Sequence, residues 1–175
     1  MAQLKIIEEE SPALRKKSRG VEKINKRILT LLDDMYETLK EAGGIGLAAP
    51  QVGVLRRVAV IEIDEGDLIE MINPEITERC GEQREIEGCL SSPGNYAETI
   101  RPVSVKVKYL NRSGEVCERA GTELLARAFC HELDHLDGVL CFDNAVRLLT
   151  QEEVDEINKE KAEKAEKEEK RESAE

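Results

Sequence analysis

The sequence predicts an α+β fold: small antiparallel or mixed sheets packed around a central helix with a candidate metal-binding motif. Three observations lead there. Residues 21–42 and 122–136 repeat apolar side chains near the helical period of 3.6. Several runs between them have strand character, one alternating cleanly. Both histidines of the chain fall in the second helical stretch, in the run His131-Glu132-Leu133-Asp134-His135.

Each element has its own signal. In residues 21–42, Ile24, Ile28, Leu31, Leu32, Met35 and Leu39 form one apolar stripe, and Gly43-Gly44 stops the helix. The run 43–53, GGIGLAAPQVG, reads as a tight loop whose small residues let backbone come close to something. Arg57–Ile63 and Leu68–Ile72 are strand candidates, the latter ended by Asn73-Pro74. Residues 86–94, IEGCLSSPG, read as a short strand or loop and then a turn. In 103–110, Val103, Val105, Val107 and Tyr109 face one way, with Lys106 and Lys108 the other. Asn111–Gly114 is a hairpin-turn candidate leading into a strand at 115–119. The second helix spans 122–136, with Thr122 a candidate cap and Gly138 its stop.

Length and composition narrow the function. A chain of 175 residues suits one domain with a sizeable core. The expected division is a single catalytic domain over 1–150 and a charged C-terminal tail over 151–175, helical or partly disordered. No apolar run is long enough to span a bilayer, and the acidic start does not read as a signal peptide, so a cytoplasmic protein without membrane attachment is expected. A net charge of -11 and the absence of Trp argue against direct nucleic-acid recognition. The five cysteines form no CxxC, so neither a disulfide framework nor a four-cysteine zinc site is favoured.

The chemistry centres on the histidine pair. Residues i and i+4 share a helix face, so His131 and His135 can close on one metal ion, with Glu132 adjacent to handle protons. A catalytic metal needs a third protein ligand and an open position for water. Cys89, between Gly88 and Leu90, is the best candidate by context; the other cysteines and Glu152, Glu153 and Glu156 remain alternatives on spacing alone. Leu124 and Ala128 share the histidines' face and could line an apolar slot or simply pack in the core.

Three motifs, in order, resemble the peptide deformylase family: Gly44-Ile45-Gly46-Leu47-Ala48-Ala49-Pro50-Gln51, Glu87-Gly88-Cys89-Leu90-Ser91, and His131-Glu132-Leu133-Asp134-His135 followed by Leu136-Asp137-Gly138. Ser11-Pro12-Ala13-Leu14-Arg15 and Arg101-Pro102 extend the likeness over about residues 3–150. The resemblance implies one divalent metal ion held by Cys89, His131 and His135, with Fe2+ in the cell and Ni2+, Co2+ or Zn2+ accepted. It implies hydrolysis of the N-formyl group from the formyl-methionine end of new polypeptides, releasing formate. Glu132 would be the proton-transfer group, while the Gln51 side-chain amide and the Leu90 backbone N–H would donate to the oxyanion. Ile45, Gly46, Gly88, Tyr96, Leu124, Arg127 and Ala128 would border the substrate, with Arg127 at the pocket rim.

Three departures from the family pattern stand near the site: Cys130 in place of a glutamine, Ser92 in place of an apolar residue, and Tyr96 where some members carry an arginine that meets the substrate backbone. A monomer is expected. Ribosome proximity is compatible with the substrate, but docking through a glutamate-rich tail is not expected. Two rivals use the same residues: a metallopeptidase, whose cleft must admit chain on both sides of the scissile bond, and a structural metal site, which would need a fourth protein ligand.

Overall fold

The computed structural model describes residues 2–172. Helix α1, Lys26–Ala42, starts later than the apolar stripe suggests because Asn25 caps it, its side chain accepting from the Arg27 and Ile28 N–H groups. Gly43 ends it in the left-handed conformation, with φ 66°. The run expected to be a loop is more ordered than its small residues suggest: it holds strand β1, Gly46–Ala48, and a 3-10 turn, Ala49–Val52.

Strand β2, Val58–Ile61, is followed by β3, Ile69–Cys80, which does not stop at Asn73-Pro74 as expected. Its pairing shifts there instead, between Ile72 and Glu75. Asn73 sits at φ 51°, and its side-chain amide exchanges hydrogen bonds of 2.8 Å with both backbone groups of Val21. Those bonds fix a bulge, and the strand bends and continues. Strands β4, Gln83–Cys89, and β5, Ser92–Arg101, form a hairpin with Leu90 and Ser91 at its tip. Only its first part was anticipated. Strand β6, Ser104–Leu110, keeps the predicted alternation, with Val105 and Val107 buried and Lys108 exposed. Strand β7 is Val116–Thr122, and β8, Arg147–Thr150, had no signal in the sequence.

Two sheets result, ordered β1-β2-β3-β6-β7 and β4-β5-β8, with all pairs antiparallel. Helix α2, Glu123–Leu136, is the central element. Phe129, Leu133 and Leu136 on α2 pack with Ala59, Ile61, Met71, Val105 and Val107 of the larger sheet. The alternate residues Val58 and Val60 join Leu32, Met35 and Leu39 of α1 on the sheet's other face. Strand β2 is therefore buried on both faces, which its run of consecutive apolar residues reflects. Each large side chain so buried contributes roughly 1.5–3 kcal/mol. Thr122 precedes α2 in extended conformation, but its hydroxyl makes no capping bond.

The charged tail is helix α3, Gln151–Glu172, with Val154 buried in its first turn, where the helix meets β5 and β8. The disorder expected near the chain end falls on residues 173–175, outside those described. Among the described residues no helix is long and apolar enough to cross a membrane.

Candidate active site

Strand β1 is an edge of the five-stranded sheet and β4 an edge of the three-stranded one. A cleft of about 640 Å³ lies between them, lined by Gly44–Gly46 and Gln51 on one side and Ile86–Leu90 and Tyr96 on the other. Leu124, Arg127, Ala128, His131 and Glu132 of α2 complete it. Every residue expected to meet substrate borders this space. Ile45 and Leu124 are 38% and 40% exposed, so each presents apolar surface to an incoming side chain. Ala128 is buried, and Arg127 is tied back to β4 through a 2.6 Å bond to Gln83.

The ligand atoms of Cys89, His131 and His135 all lie within 4.8 Å of one another. Nε2 of His135 is 3.2 Å from Nε2 of His131 and 3.4 Å from the Cys89 Sγ. The alternatives left open by spacing, Glu152, Glu153 and Glu156, belong to α3 and are not in this group. Burial and the neighbouring His131 hold His135 well below the usual imidazole range, so it stays neutral and keeps a lone pair free. Burial opposes a charge on His131, but its bonds to Cys89 and Glu87 outweigh burial and hold the imidazole well above its usual range; Nδ1 turns to the Glu87 carboxylate at 3.0 Å, which leaves Nε2 facing the cluster. A thiol sulfur and two imidazole nitrogens so disposed fit a single metal ion. Glu87, His131 and Cys141 form a second close grouping, but Glu87 is already committed to other partners.

Those partners form a support that sequence reading missed. Glu87 accepts from Thr99 at 2.6 Å and from two nitrogens of Arg101 at 2.7 and 3.0 Å, and Arg101 reaches on to Asp134 at 2.6 Å. Burial opposes the charge on Glu87, but its bonds to His131 and Arg101 outweigh burial and hold the carboxyl well below its usual range. The available signal was period two: Glu87 and Cys89 stand two apart on β4.

Glu132 is buried, and its Oε2 has no hydrogen-bond partner. Burial is the main cause that pushes its pKa up to about 7. Gly46 leaves it room, since a Cβ there would come within 2.8 Å of the Glu132 Cδ. Gln51 is set by its amide: Oε1 accepts from the Ala48 N–H at 2.9 Å, so the NH2 group faces Ser91 at 3.3 Å and the Cys89 sulfur at 3.7 Å. Leu90 follows Cys89 at the hairpin tip, against Gly44. Tyr96 pairs with Gly88 across the β4–β5 ladder, its ring over the glycine and its hydroxyl on Gln151 at 2.6 Å. Of the departures noted, Cys130 is on the side of α2 turned away from the cleft, whereas Ser92 lines the cleft, buried, and accepts from Asn95.

Comparison with known proteins gives a uniform result. A sequence model described as polypeptide deformylase matches residues 3–151. The peptide deformylase of Alkaliphilus metalliredigens is 58% identical over 139 residues, covering 79% of this chain and 94% of that protein. The one from Acetivibrio thermocellus is 55% identical over 150 residues, covering 86% and 88%. Among solved structures, a peptide deformylase from Legionella pneumophila superposes with a TM-score of 0.81 at 39% identity, covering 92% of this chain and 98% of that one. One from Synechococcus elongatus, in complex with actinonin, superposes with a TM-score of 0.80 at 35% identity, over 83% and 82% of the two chains. With its three motifs gathered into one cleft and relatives spanning nearly its whole length, the chain belongs to the polypeptide deformylase family.

Proposed function

We propose that the chain removes the N-formyl group from formyl-methionyl polypeptides at one metal ion held by Cys89, His131 and His135, with Glu132 moving the proton. The observation that carries this assignment is the convergence of those three ligand atoms beside a buried carboxylate whose Oε2 has no partner. When bound, the ion supplies Lewis-acid activation of a water molecule and of the formyl carbonyl. Glu132 accepts the water's proton as oxygen bonds to the formyl carbon, then delivers it to the departing amine as the C–N bond breaks. The Gln51 NH2 group and the Leu90 N–H donate to the carbonyl oxygen as it gains charge.

The substrate is read as an extended strand laid between the edges of β1 and β4, with Gly46 and Gly88 lining its path. Its methionine side chain is assigned to the slot of Ile45, Leu124 and Ala128, and the residues beyond it to the side bordered by Tyr96 and Arg127. A thiolate with two imidazoles is a borderline-soft donor set, compatible with Fe2+, Ni2+, Co2+ and Zn2+; Fe2+ is the ion proposed for the cell. Residues 1–150 are taken as the catalytic unit, working as a cytoplasmic monomer near the ribosome without docking there through the acidic tail.

The test is formate release from N-formyl-Met-Ala-Ser by Fe2+- or Ni2+-loaded protein without oxygen, beside Glu132→Ala. Rapid release that is lost in a variant still holding its metal is the expected result. Cleavage of a blocked internal peptide would instead point to a peptidase, and no release from folded, metal-loaded protein would overturn the assignment.

A further inference from the structure

We propose that Gln151, the first residue of α3, is a positioning residue of the substrate cleft, fixing the Tyr96 ring as the wall met by residues that follow formyl-methionine. This inference rests on the reading that Tyr96 borders the substrate path. It brings a function to the root of the charged tail, which otherwise stands outside the site.

The geometry is a short relay. The Gln151 Nε2 donates to Asp155 Oδ1 at 2.8 Å, one turn along α3. An amide offers two hydrogens from nitrogen and lone pairs from oxygen, so this bond settles which end faces Tyr96. The end that does is Oε1, which accepts from the Tyr96 hydroxyl at 2.6 Å. The tyrosine thereby spends its one donor hydrogen on α3, and only acceptor lone pairs remain for another partner. At its other end the ring lies against Gly88, where a Cβ would meet ring carbons at 3.1 and 3.3 Å. Gly88 immediately precedes Cys89, so the ring's tilt sets the cleft wall next to the reacting centre.

Two anchors hold Gln151 itself. Leu149, paired with Tyr96 across the β5–β8 ladder, is buried, as is Val154 in the first turn of α3. The start of α3 is thus docked on the three-stranded sheet, and the relay lies between two packed residues. Tyr96 without this hold could leave the wall by rotating about its side-chain torsions, because the cleft side is open.

The test compares wild type, Gln151→Leu, Tyr96→Phe and the double variant, using full-length metal-loaded chains. Two substrates are used: N-formyl-Met-Ala-Ser and N-formyl-methionine amide, which has nothing beyond the methionine. One hydrogen bond lost from a pre-set wall should raise KM for the longer substrate about three- to tenfold. In Gln151→Leu the kcat should stay within about twofold, and the short substrate should be unaffected. The double variant should be no worse than either single one. Gln151→Glu alone would set a carboxylate against Asp155, so it is paired with Asp155→Asn, whose amide can donate to it; the pair keeps an acceptor for Tyr96 and should restore KM.

Three results overturn the inference: an unchanged KM in Gln151→Leu, multiplying effects in the double variant, or no rescue by Gln151→Glu paired with Asp155→Asn. Tyr96→Ala separates this from the reading beneath it. If that variant raises KM while Gln151→Leu does not, the relay fails and the role of Tyr96 stands. If Tyr96→Ala changes nothing, both fall while deformylation itself is untouched. Should Gln151→Leu loosen α3, seen as lost helical signal, the Gln151→Glu/Asp155→Asn pair and Asp155→Ala decide: the first should keep KM and the second raise it less than Gln151→Leu does.

Discussion

Adding one methyl group at Gly46 should disable the site while leaving the fold and the ligand cluster in place. The Cβ of Gly46→Ala would lie 2.8 Å from the Glu132 Cδ and 3.0 Å from its Cγ, with Oε1 closer still. Carbon atoms in contact settle at about 3.5–4.0 Å, so the carboxyl must retreat by roughly 0.7–1 Å. Misplacement on that scale costs about 100-fold in rate, or about 2.7 kcal/mol of barrier. No ligand atom is among the groups nearest the new methyl, and the residue is not held at positive φ, so metal binding and folding should persist. The assay is formate release with metal content and melting temperature measured on the same samples. Gly20→Ala is the control, since its Cβ meets nothing nearer than the Asn73 Oδ1 at 3.7 Å. Expected are a kcat reduced about 100-fold, a KM that shifts far less, and metal bound as in wild type. A kcat within about threefold of wild type, with metal in place, would refute the view that Gly46 exists to seat Glu132.

Two further outcomes follow from the charges at the site. The raised pKa of Glu132, about 7, means the metal-free fold prefers the protonated acid. Its stabilising contribution is present below the unfolded value of 4.5 and is lost as pH rises through 7. Metal-free wild type should therefore lose on the order of 3 kcal/mol relative to Glu132→Gln between pH 4.5 and 8, read from urea unfolding; parallel pH curves would contradict it. Separately, Arg101→Met removes the cation between Glu87 and Asp134 and loosens the carboxylate that orients His131. Metal affinity measured against a competing chelator should fall about 10- to 100-fold, and an affinity within twofold of wild type would show that Arg101 is dispensable to the cluster.

Helix α1 and strand β6 were legible because each buries mainly one face, leaving a periodic imprint, whereas α2, buried on several sides, was legible through its apolar residues and its histidine motif. The metal cluster was legible through the motifs, since His131 and His135 are one turn apart and Cys89 sits in a run of small residues. Strand β5 was not, because Ser92-Pro93-Gly94-Asn95 carries turn residues and the strand exists through its partners on both sides. The continuation of β3 was hidden by Asn73-Pro74, whose turn character is real but is absorbed as a bulge held by the Val21 backbone. The Glu87–Arg101–Asp134 support joins β4, β5 and α2, and no local pattern reports a contact made by three separate elements. Gln151 was unreadable for the same reason: in sequence it is merely the start of a polar run.

An unpaired strand edge is ordinarily a hazard, because it invites another protein to add a strand and begin aggregation. Here two such edges, β1 and β4, border the same cleft. If substrate binds as proposed, as one extended chain between these edges, a strand already built into a folded sheet would be excluded and a bare chain end admitted. The arrangement that guards the edges would then also select visitors by their state of folding. Main-chain pairing would ask little of the side chains that follow the first residue, leaving a surface closed to finished proteins open to unfinished ones.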